Sequence, residues 1–252
     1  MSDRTRVALV TGGGSGVGAV SAKALAAAGF AVVVCGRRKE PLQEVVGDIE
    51  RSGGRAASFV TDVSDAAQVD SLFSAVRTEF GRLDVLFNNA GGRIPNAPID
   101  EIDTDDWEKI LAVNLTGPFL CTRAAVGLMR SQEPGGGRII SNGSVSAQVP
   151  RPHTAAYASS KSGLTGLMRA TTLDTRGSGV CCTQIDIGNA ATDMSARMDV
   201  GVLQADGSVR SEPRFDPQHV ADLVVHIARL PLEVNIPSVT IMATDMPFAG
   251  RG

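Results

Sequence analysis

The chain has 252 residues, 43% of them hydrophobic, which is enough to bury one large core without support from disulfides or metal ions. Its formal net charge of −3 excludes a broad basic surface, so we expect neither nucleic acid nor a membrane surface as a partner. No signal-peptide core and no apolar run of about 18 residues stands out, which predicts a cytoplasmic protein. The four cysteines form no C-x-x-C pair, so we expect buried, reduced thiols and no metal site.

Short β-branched runs alternate with longer stretches of helical period. The predicted strands are Val7–Thr11, Ala31–Cys35, Ala57–Thr61, Leu83–Asn88, Arg138–Asn142, Val180–Ile187 and Ser238–Met242. The predicted helices are Val17–Ala28, Glu40–Arg51, Ala66–Phe80, Thr104–Met129, Thr154–Arg176 and Pro217–Arg229. This alternation predicts an α/β fold, a doubly wound and mostly parallel seven-stranded sheet with helices on both faces. No composition shift marks a boundary, so residues 1–252 are expected to form a single domain.

A glycine-rich loop, TGGGSGVG over residues 11–18, lies between the first predicted strand and the first predicted helix. Backbone N–H groups and a helix N-terminus can hold a pyrophosphate there, as they do in the Rossmann fold. The position therefore predicts a dinucleotide site. Two glycine registers fit the loop: Gly12, Gly16 and Gly18 around Ser15 and Val17, or Gly14, Gly16 and Ala19.

The loop pattern T-G-x-x-x-G-x-G resembles the fingerprint of the short-chain dehydrogenase/reductase family, and the resemblance extends over essentially the full chain. It implies a nicotinamide dinucleotide cofactor. The cofactor contacts that it implies are Gly12, Ser15, Gly16, Val17, Gly18, Asp62, Val63, Asn89, Ala90, Gly91, Tyr157, Lys161, Gly188, Ala190 and Thr192. Two alternatives stay open: Asp62 as a helix N-cap before Asp65, and the N-N-A-G motif at Asn88–Gly91 as an ordinary turn.

The end of the second predicted strand bears on the choice of cofactor. An acidic residue there would accept hydrogen bonds from the adenosine ribose and favour NAD, but the chain has Arg37 and Arg38 instead. Two guanidinium groups suit a 2′-phosphate, so we expect NADP(H) to be preferred, with NAD(H) possible. The alternative is that one or both arginines are solvated charges at the start of the next helix.

Tyr157 is the only tyrosine in the chain, and Lys161 follows it at i+4. On a helix this spacing puts both side chains on one face, where an ammonium favours the phenolate and suits the phenol to acid–base work. Such a pair can also be two surface neighbours. Ser144 lies 13 residues before Tyr157, at the family spacing of a catalytic serine, with Ser141 and Ser146 as alternatives.

Asn114 lies inside the long predicted helix, where a short amide side chain is mildly unfavourable. By resemblance it completes a catalytic set with Ser144, Tyr157 and Lys161 by holding a water that links to the lysine. The alternative is an exposed helical asparagine. The resemblance also implies hydride transfer between nicotinamide and a carbonyl or secondary alcohol, with Tyr157 as general acid or base.

The chain departs from the family pattern P-G-x-x-x-T after the sixth predicted strand, because Ile187 stands where the family usually has proline. We expect a substrate lid over about residues 189–214. Met194, Met198, Val200 and Val202 are candidates for an apolar pocket wall, or for core packing. Arg93, Arg151 and His153 are candidates for binding an acidic substrate, although we expect surface solvation for each.

These features predict an NAD(P)-dependent oxidoreductase acting on a small carbonyl or alcohol substrate. One alternative is a 3-oxoacyl-acyl-carrier-protein reductase, which would need a basic patch for its carrier; Arg130 and Arg151 offer only scattered charge. A second is a non-catalytic dinucleotide-binding sensor or scaffold. The apolar segment Ala243–Gly252 and the family resemblance predict a homotetramer.

Overall fold

The computed structural model describes residues 4–249. Gly250, Arg251 and Gly252, the end of the segment expected to contact a neighbouring subunit, lie outside the described residues. The strands of the described part are β1 Val7–Thr11, β2 Ala31–Gly36, β3 Ala56–Val60, β4 Val85–Asn88, β5 Gly137–Asn142, β6 Val180–Gly188, β7 Val202–Leu203, β8 Val209–Arg210 and β9 Ser238–Met242.

Seven of these strands form one sheet in the order β3-β2-β1-β4-β5-β6-β9, and every neighbouring pair in it is parallel. The predicted seven-stranded doubly wound sheet is therefore confirmed. After β1 the chain builds outward through β2 and β3, then returns to add β4 on the other side of β1. The carboxyl ends of β1 and β4 flank this reversal of strand order, where ligands bind in open α/β sheets.

Helices cover both faces of the sheet. They are α1 Gly16–Ala27, α2 Lys39–Arg51, α3 Ala66–Phe80, α4 Thr104–Leu111, α5 Gly117–Ser131, α6 Ala155–Asp174, α7 Arg197–Val200 and α8 Gln218–Arg229. One core cluster unites the sheet with α1, α2 and α8 through residues such as Leu25, Leu42 and Val224. The other unites it with α3, α5 and α6 through Leu72, Leu120 and Leu164. Burial on both faces explains why the central strands read as continuous apolar runs.

The long helix predicted over Thr104–Met129 is in fact interrupted. Between α4 and α5 the chain makes a π-helical turn, Ala112–Thr116, and Asn114 lies at its centre. A π-turn fits one extra residue into the helix and occurs most often at functional sites. Hydrophobic periodicity alone did not reveal it, because the apolar pattern continues on both sides.

The helical stretch Thr104–Ser131 is long and apolar enough to cross a membrane by length and composition. The expectation that no apolar run reaches this length is therefore wrong. Of its most apolar window, 44% is buried inside the protein, and Leu120, Cys121 and Ala125 pack in the core of the sheet. Burial against the sheet explains the apolar character of this stretch.

All four cysteines are unpaired thiols, three of them buried and Cys181 half-buried. Burial raises the pKa of Cys121 to about 12 and that of Cys182 to about 11. The expectation of buried thiols is therefore wrong only for Cys181, whose Sγ lies 3.1 Å from the Leu232 carbonyl oxygen. Within residues 4–249 no three His, Cys, Asp or Glu side chains are grouped as metal ligands would be.

Candidate active site

Two connected depressions lie at the carboxyl ends of the central strands. The first, here called the outer groove, is lined by predicted residues Gly12, Ser15, Arg37, Arg38, Asp62, Val63, Ala90 and Gly91. The second, here called the inner cleft, is lined by predicted residues Val17, Asn89, Gly91, Ser144, Tyr157, Lys161, Gly188, Ala190 and Thr192. Gly91 belongs to both. Gly16, Gly18 and Asn114 line neither and lie behind these walls.

The glycine loop is built for close backbone approach. Gly12 and Gly16 have φ angles of 63° and 51°, in the left-handed region that favours glycine. A Cβ on Gly18 would lie 2.3 Å from the Gly12 carbonyl oxygen, whereas a Cβ on Gly14 would meet nothing nearer than 3.2 Å. Of the two open registers, the geometry therefore requires glycine in the first, at Gly12, Gly16 and Gly18.

The N-N-A-G segment is tied directly to the glycine loop. Thr11 Oγ1 accepts hydrogen bonds from the backbone N–H groups of Asn89 and Ala90, at 3.0 and 2.9 Å. The Asn89 amide donates to the Thr11 carbonyl at 2.9 Å and accepts from the Asn142 amide at 2.9 Å. This asparagine therefore links the ends of β1, β4 and β5, which is more than an ordinary turn would do.

The outer groove ends at two exposed arginines, Arg37 and Arg38. On its opposite wall, Asp62 Oδ1 accepts from the Ser64 backbone and hydroxyl at 3.0 and 2.6 Å. The N-cap of α3 is Asp65, which accepts from Ala67 and Gln68, so the interpretation of Asp62 as that cap is wrong. Asp62 instead lines the outer groove, where a cofactor could contact it.

Tyr157 and Lys161 lie in the first two turns of α6 and both line the inner cleft. Lys161 is 5% exposed, so the pair is not a surface pair. Its ammonium donates to the Asn142 carbonyl oxygen at 2.7 Å and lies 5.8 Å from the centroid of the Tyr157 ring. A buried cation is thus fixed beside the only phenol of the chain.

Asn114 is buried, at 1% exposure, so the alternative of an exposed helical asparagine is wrong. Its amide exchanges two hydrogen bonds with the Gly92 backbone, at 2.8 and 3.1 Å, and donates to Ser160 Oγ at 3.2 Å. A Cβ on Gly91 would lie 3.3 Å from Asn114 Oδ1 and 3.9 Å from Lys161 Nζ. Asn114 therefore holds the Gly91–Gly92 backbone against α6, close to the lysine.

Ser144 is held by a residue that the sequence did not single out, Asp186 on β6. The Ser144 backbone N–H donates to Asp186 Oδ1 at 3.1 Å, and the Gln148 amide donates to Oδ2 at 2.8 Å. A Cβ on Gly143 would lie 2.2 Å from the same carboxylate, which explains the glycine immediately before Ser144. Only the dense hydrogen bonding seen in the structure identifies Asp186, because its sequence context is an unremarkable strand.

The two alternative serines differ in position. Ser141 is fully buried and its hydroxyl lies 3.1 Å from Met168 Sδ, away from the inner cleft. Ser146 lines the cleft, and its backbone N–H donates to Ser144 Oγ at 3.1 Å. Of the three candidate serines, Ser144 and Ser146 therefore line the cleft and Ser141 does not.

The substrate side of the cleft is lined by residues 92–96, by residues 143–146, 151, 153 and 154, and by most of residues 187–198. Met194 and Met198 line the inner cleft, whereas Val200 is 90% exposed and Val202 is buried outside the cleft lining. The pocket wall predicted from these four residues is therefore half right. Ile187, in place of the family proline, also lines the cleft.

Arg151 was expected to be a solvated surface residue, and this expectation is wrong. Its side chain is 8% exposed and forms an ion pair with Glu212, which is 1% exposed. Asn189 and Gln204 donate to the same carboxylate at 2.8 and 3.0 Å. Burial by itself raises the pKa of Glu212, but the hydrogen bonds from Arg151, Gln204 and Asn189 outweigh it and lower the pKa to about 2. This network joins the 189–214 segment to the loop that follows Ser144.

The doubly wound sheet, the glycine loop at its switch point and the buried Tyr–Lys pair together define a dinucleotide-dependent oxidoreductase. A sequence profile described as short chain dehydrogenase matches residues 6–201. The chain belongs to the short-chain dehydrogenase/reductase family. It is an oxidoreductase of alcohol and carbonyl groups that uses a nicotinamide dinucleotide.

Individual relatives agree with this assignment. The chain is 34% identical to a 3beta-hydroxysteroid dehydrogenase of Mediterraneibacter gnavus over 78% of this chain and 70% of the relative. It is 36% identical to a 3-oxoacyl-acyl-carrier-protein reductase of Synechocystis over 77% of this chain and 78% of the relative. The crystal structure of a metagenomic short-chain oxidoreductase in complex with NADP matches with a TM-score of 0.81 and 30% identity, over 96% of this chain and 98% of that one.

Proposed function

We propose that the protein interconverts a ketone and a secondary alcohol with NADP(H), using Tyr157 as general acid and base. The observation that carries the proposal is the Lys161 ammonium, held 2.7 Å from the Asn142 carbonyl and 5.8 Å from the Tyr157 ring centroid. Its positive charge stabilises the phenolate that forms when Tyr157 gives up its proton. A binding module needs no such buried cation, so this geometry argues against the non-catalytic sensor or scaffold.

The two depressions fit a dinucleotide, because Gly12 and Ser15 of the glycine loop line the outer groove, and Tyr157 and Lys161 line the inner cleft, which shares Gly91 with it. The bound nicotinamide supplies or accepts the hydride at the substrate carbon. In reduction, Tyr157 donates its proton to the substrate oxygen and the Ser144 hydroxyl donates a hydrogen bond to the same oxygen. Lys161 stabilises the phenolate that remains, and Asn114 fixes the Gly91–Gly92 backbone beside it. Each turnover thus moves one hydride and one proton in the same direction.

The test of this site replaces one oxygen at a time. Tyr157→Phe should lower turnover by about 100- to 10,000-fold, because proton transfer by a placed side chain contributes that much. The dissociation constant of the cofactor should change little. Ser144→Ala should also lower turnover, with Ser146→Ala as the matched control that keeps it. Retained turnover in Tyr157→Phe, or a larger loss in Ser146→Ala than in Ser144→Ala, would refute the assigned roles.

The preference for NADP(H) rests on Arg37 and Arg38, which are exposed and line the end of the outer groove. Charge-assisted hydrogen bonds contribute about 1.5–3 kcal/mol each, so losing both should weaken NADPH binding by at least about 100-fold. The double variant Arg37→Ala/Arg38→Ala should bind NADH as the wild type does. Equal dissociation constants of NADPH and NADH in the wild type would contradict the preference.

The substrate is not given by the relatives, because their names span a steroid alcohol and an acyl group on a carrier protein. The carrier-protein alternative needs a cationic patch at the cleft entrance. Arg151, one of its two candidate residues, is buried in an ion pair and is not available to a carrier. A small free substrate is therefore the better supported proposal.

Three further features belong to this proposal. Residues 189–214 act as the substrate lid, anchored by the Arg151–Glu212 pair.

The protein works in the cytoplasm as a homotetramer. Apolar surface for subunit contacts is offered on the α4–α5 stretch by Trp107 and Phe119, which are 37% and 45% exposed. Of the C-terminal segment, Ala243 and Met246 pack on Val145 of their own chain. Light scattering that shows a monomer at working concentration would exclude the tetramer.

A further inference from the structure

The inner cleft carries an excess of positive charge. Arg93, Arg151, Lys161 and Arg197 line it, and no aspartate or glutamate is among the described residues that do so. Lys161 is held by the Asn142 carbonyl, and Arg151 is neutralised by Glu212. No ion pair within residues 4–249 joins the other two arginines to a carboxylate.

Of the two arginines without an ion pair, Arg197 is the more enclosed, because it is half-buried and Arg93 is exposed. Arg197 Nη1 donates to Asn96 Oδ1 at 2.9 Å, while its Nε is buried and no group in residues 4–249 accepts from it. A buried guanidinium N–H without an acceptor is costly unless a bound group completes it.

The surroundings of Arg197 make its charge less favourable still. Burial lowers the pKa of Arg197 most, and repulsion from Arg93 and Arg151 lowers it further. Tyr157 has a smaller effect and raises the pKa of Arg197. Arg197 and Tyr157 both line the inner cleft, so one ligand can contact the guanidinium and the phenol. Like charges gathered beside the proton-transfer group suit a ligand that brings a negative charge.

We propose that the substrate is a hydroxy or keto acid whose carboxylate or sulfonate binds Arg197, with Arg93 at the cleft entrance as the second cation. This inference rests on the proposed oxidoreductase function of the same cleft and names the class of its substrate. The acid group pairs with the Arg197 guanidinium from the cleft, while Asn96 holds Nη1 of the same group. The reacting carbon lies a few bonds away, at Tyr157.

The position of Arg197 argues against a role in binding the cofactor pyrophosphate. Arg197 and Asn96 join the 187–198 segment to the loop after β4. The glycine loop residues Gly12 and Ser15 line the outer groove, on the other side of Gly91. The anion that Arg197 binds therefore belongs to the substrate.

The test compares ketone acids with their methyl esters, which have the same carbonyl and no charge. Levulinate, acetoacetate and 4-oxocyclohexanecarboxylate are each assayed against the methyl ester by NADPH consumption. We expect at least one acid to exceed its ester in kcat/KM by about tenfold or more, since a hydrogen bond between charged groups is worth that much. Arg197→Met should remove about 10- to 100-fold of this acid-over-ester ratio, chiefly through KM.

Two comparison variants keep the result specific. Arg197→Lys should recover part of the ratio, because it restores the charge without the fork of donors. Arg123→Met removes an exposed arginine of α5 that pairs with Asp70, outside the inner cleft and the 189–214 segment, and it should leave the ratio unchanged. The dissociation constant of NADPH should be the same in all three variants. An Arg197→Met variant that loses NADPH affinity and keeps its acid preference would overturn the proposal.

Failure of this proposal can be told apart from failure of the proposed function. If neutral ketones and esters react as well as the acids, the oxidoreductase function stands and the anion site is refuted. If no ketone reacts, calorimetry on the NADP⁺-loaded wild type measures levulinate binding in a complex that cannot turn over. Binding of levulinate but not of methyl levulinate, lost in Arg197→Met, supports the site; equal or undetectable binding of both refutes it.

Discussion

The outer groove and the inner cleft share Gly91 but are held together by different forces. The glycine loop beside the outer groove is shaped by its backbone: Gly12 and Gly16 have positive φ, and the backbone N–H groups of Asn89 and Ala90 bind the Thr11 hydroxyl. The far side of the inner cleft is made of side chains, above all the buried Arg151–Glu212 pair. The two halves of the site should therefore respond to different substitutions: the loop at the outer groove to an added Cβ, and the far side of the inner cleft to a lost charge.

The largest expected effect tests the far side of the inner cleft, here called the side-chain half, which the Arg151–Glu212 pair holds together. Arg151→Met leaves the buried Glu212 carboxylate without its cation, and removing one partner of a buried pair costs about 3–5 kcal/mol. We expect residues 189–214 to open as a local unit while the sheet stays folded, so the loss should appear as local opening. We expect hydrogen exchange of the Glu212 and Gln204 amides to accelerate by about 100-fold or more, with β1 and β4 unchanged.

A matched control is Arg210→Met, which removes an exposed ion pair in the same segment. Exposed pairs contribute about 0–1 kcal/mol, so exchange there should barely change. If Arg151→Met slows or leaves unaltered the exchange of the segment, the pair does not anchor it. If β1 accelerates equally, the two halves unfold as one unit and the contrast between them fails.

The next effect tests the glycine loop at the outer groove, here called the backbone half. Gly18→Ala places a Cβ 2.3 Å from the Gly12 carbonyl oxygen and 2.4 Å from Asn89 Nδ2. Forcing a methyl group into such a site costs about 1–3 kcal/mol, so the free energy of unfolding should fall by that amount and cofactor binding should weaken. Urea unfolding and a cofactor titration measure the two quantities.

Gly127→Ala serves as its control, since it lies on an exposed turn of α5 with nothing within 4 Å of the new Cβ. Alanine is favoured over glycine in a helix by about 0.5–1 kcal/mol, so this variant should be slightly more stable than the wild type. Wild-type cofactor affinity in Gly18→Ala would show that the loop tolerates a side chain after all.

The smallest expected effect is a pH dependence of the local stability of residues 189–214, which contain Glu212. The pKa of Glu212 is lowered to about 2 in the folded protein, from an ordinary value of about 4.3 in an unfolded chain. Its charged form therefore stabilises the segment fully above about pH 4.3, and this contribution is lost as the pH falls towards about 2. Between pH 5 and pH 8 the effect should be flat.

The measurement is amide exchange of residues 189–214 in wild type and Glu212→Gln over pH 2.5 to 7. The advantage of the wild type should be constant above about pH 5 and shrink below about pH 4. An advantage that grows as the pH falls has the opposite sign and would show that Glu212 is stabilised in its neutral form.

The backbone half could largely be predicted from the sequence, because its signals are local. Glycines need positive φ at Gly12 and Gly16, and strand ends follow from hydrophobic runs. The side-chain half could not be predicted, since Arg151 and Glu212 are 61 residues apart and nothing near either one announces its partner. Arg197 was missed for the same reason: its charge has meaning only beside Arg93 and Tyr157.

The π-turn at Ala112–Thr116 also sets the phase between α4 and α5. Each residue of a helix turns the chain by about 100°, so one residue more or less at this turn would rotate the whole of α5 relative to α4. Leu120 would leave the core, and Asn114 would no longer face Gly92. Deleting one residue there would separate Asn114 from Gly92 without changing any residue that lines the inner cleft. The number of residues in this turn is therefore itself important for function.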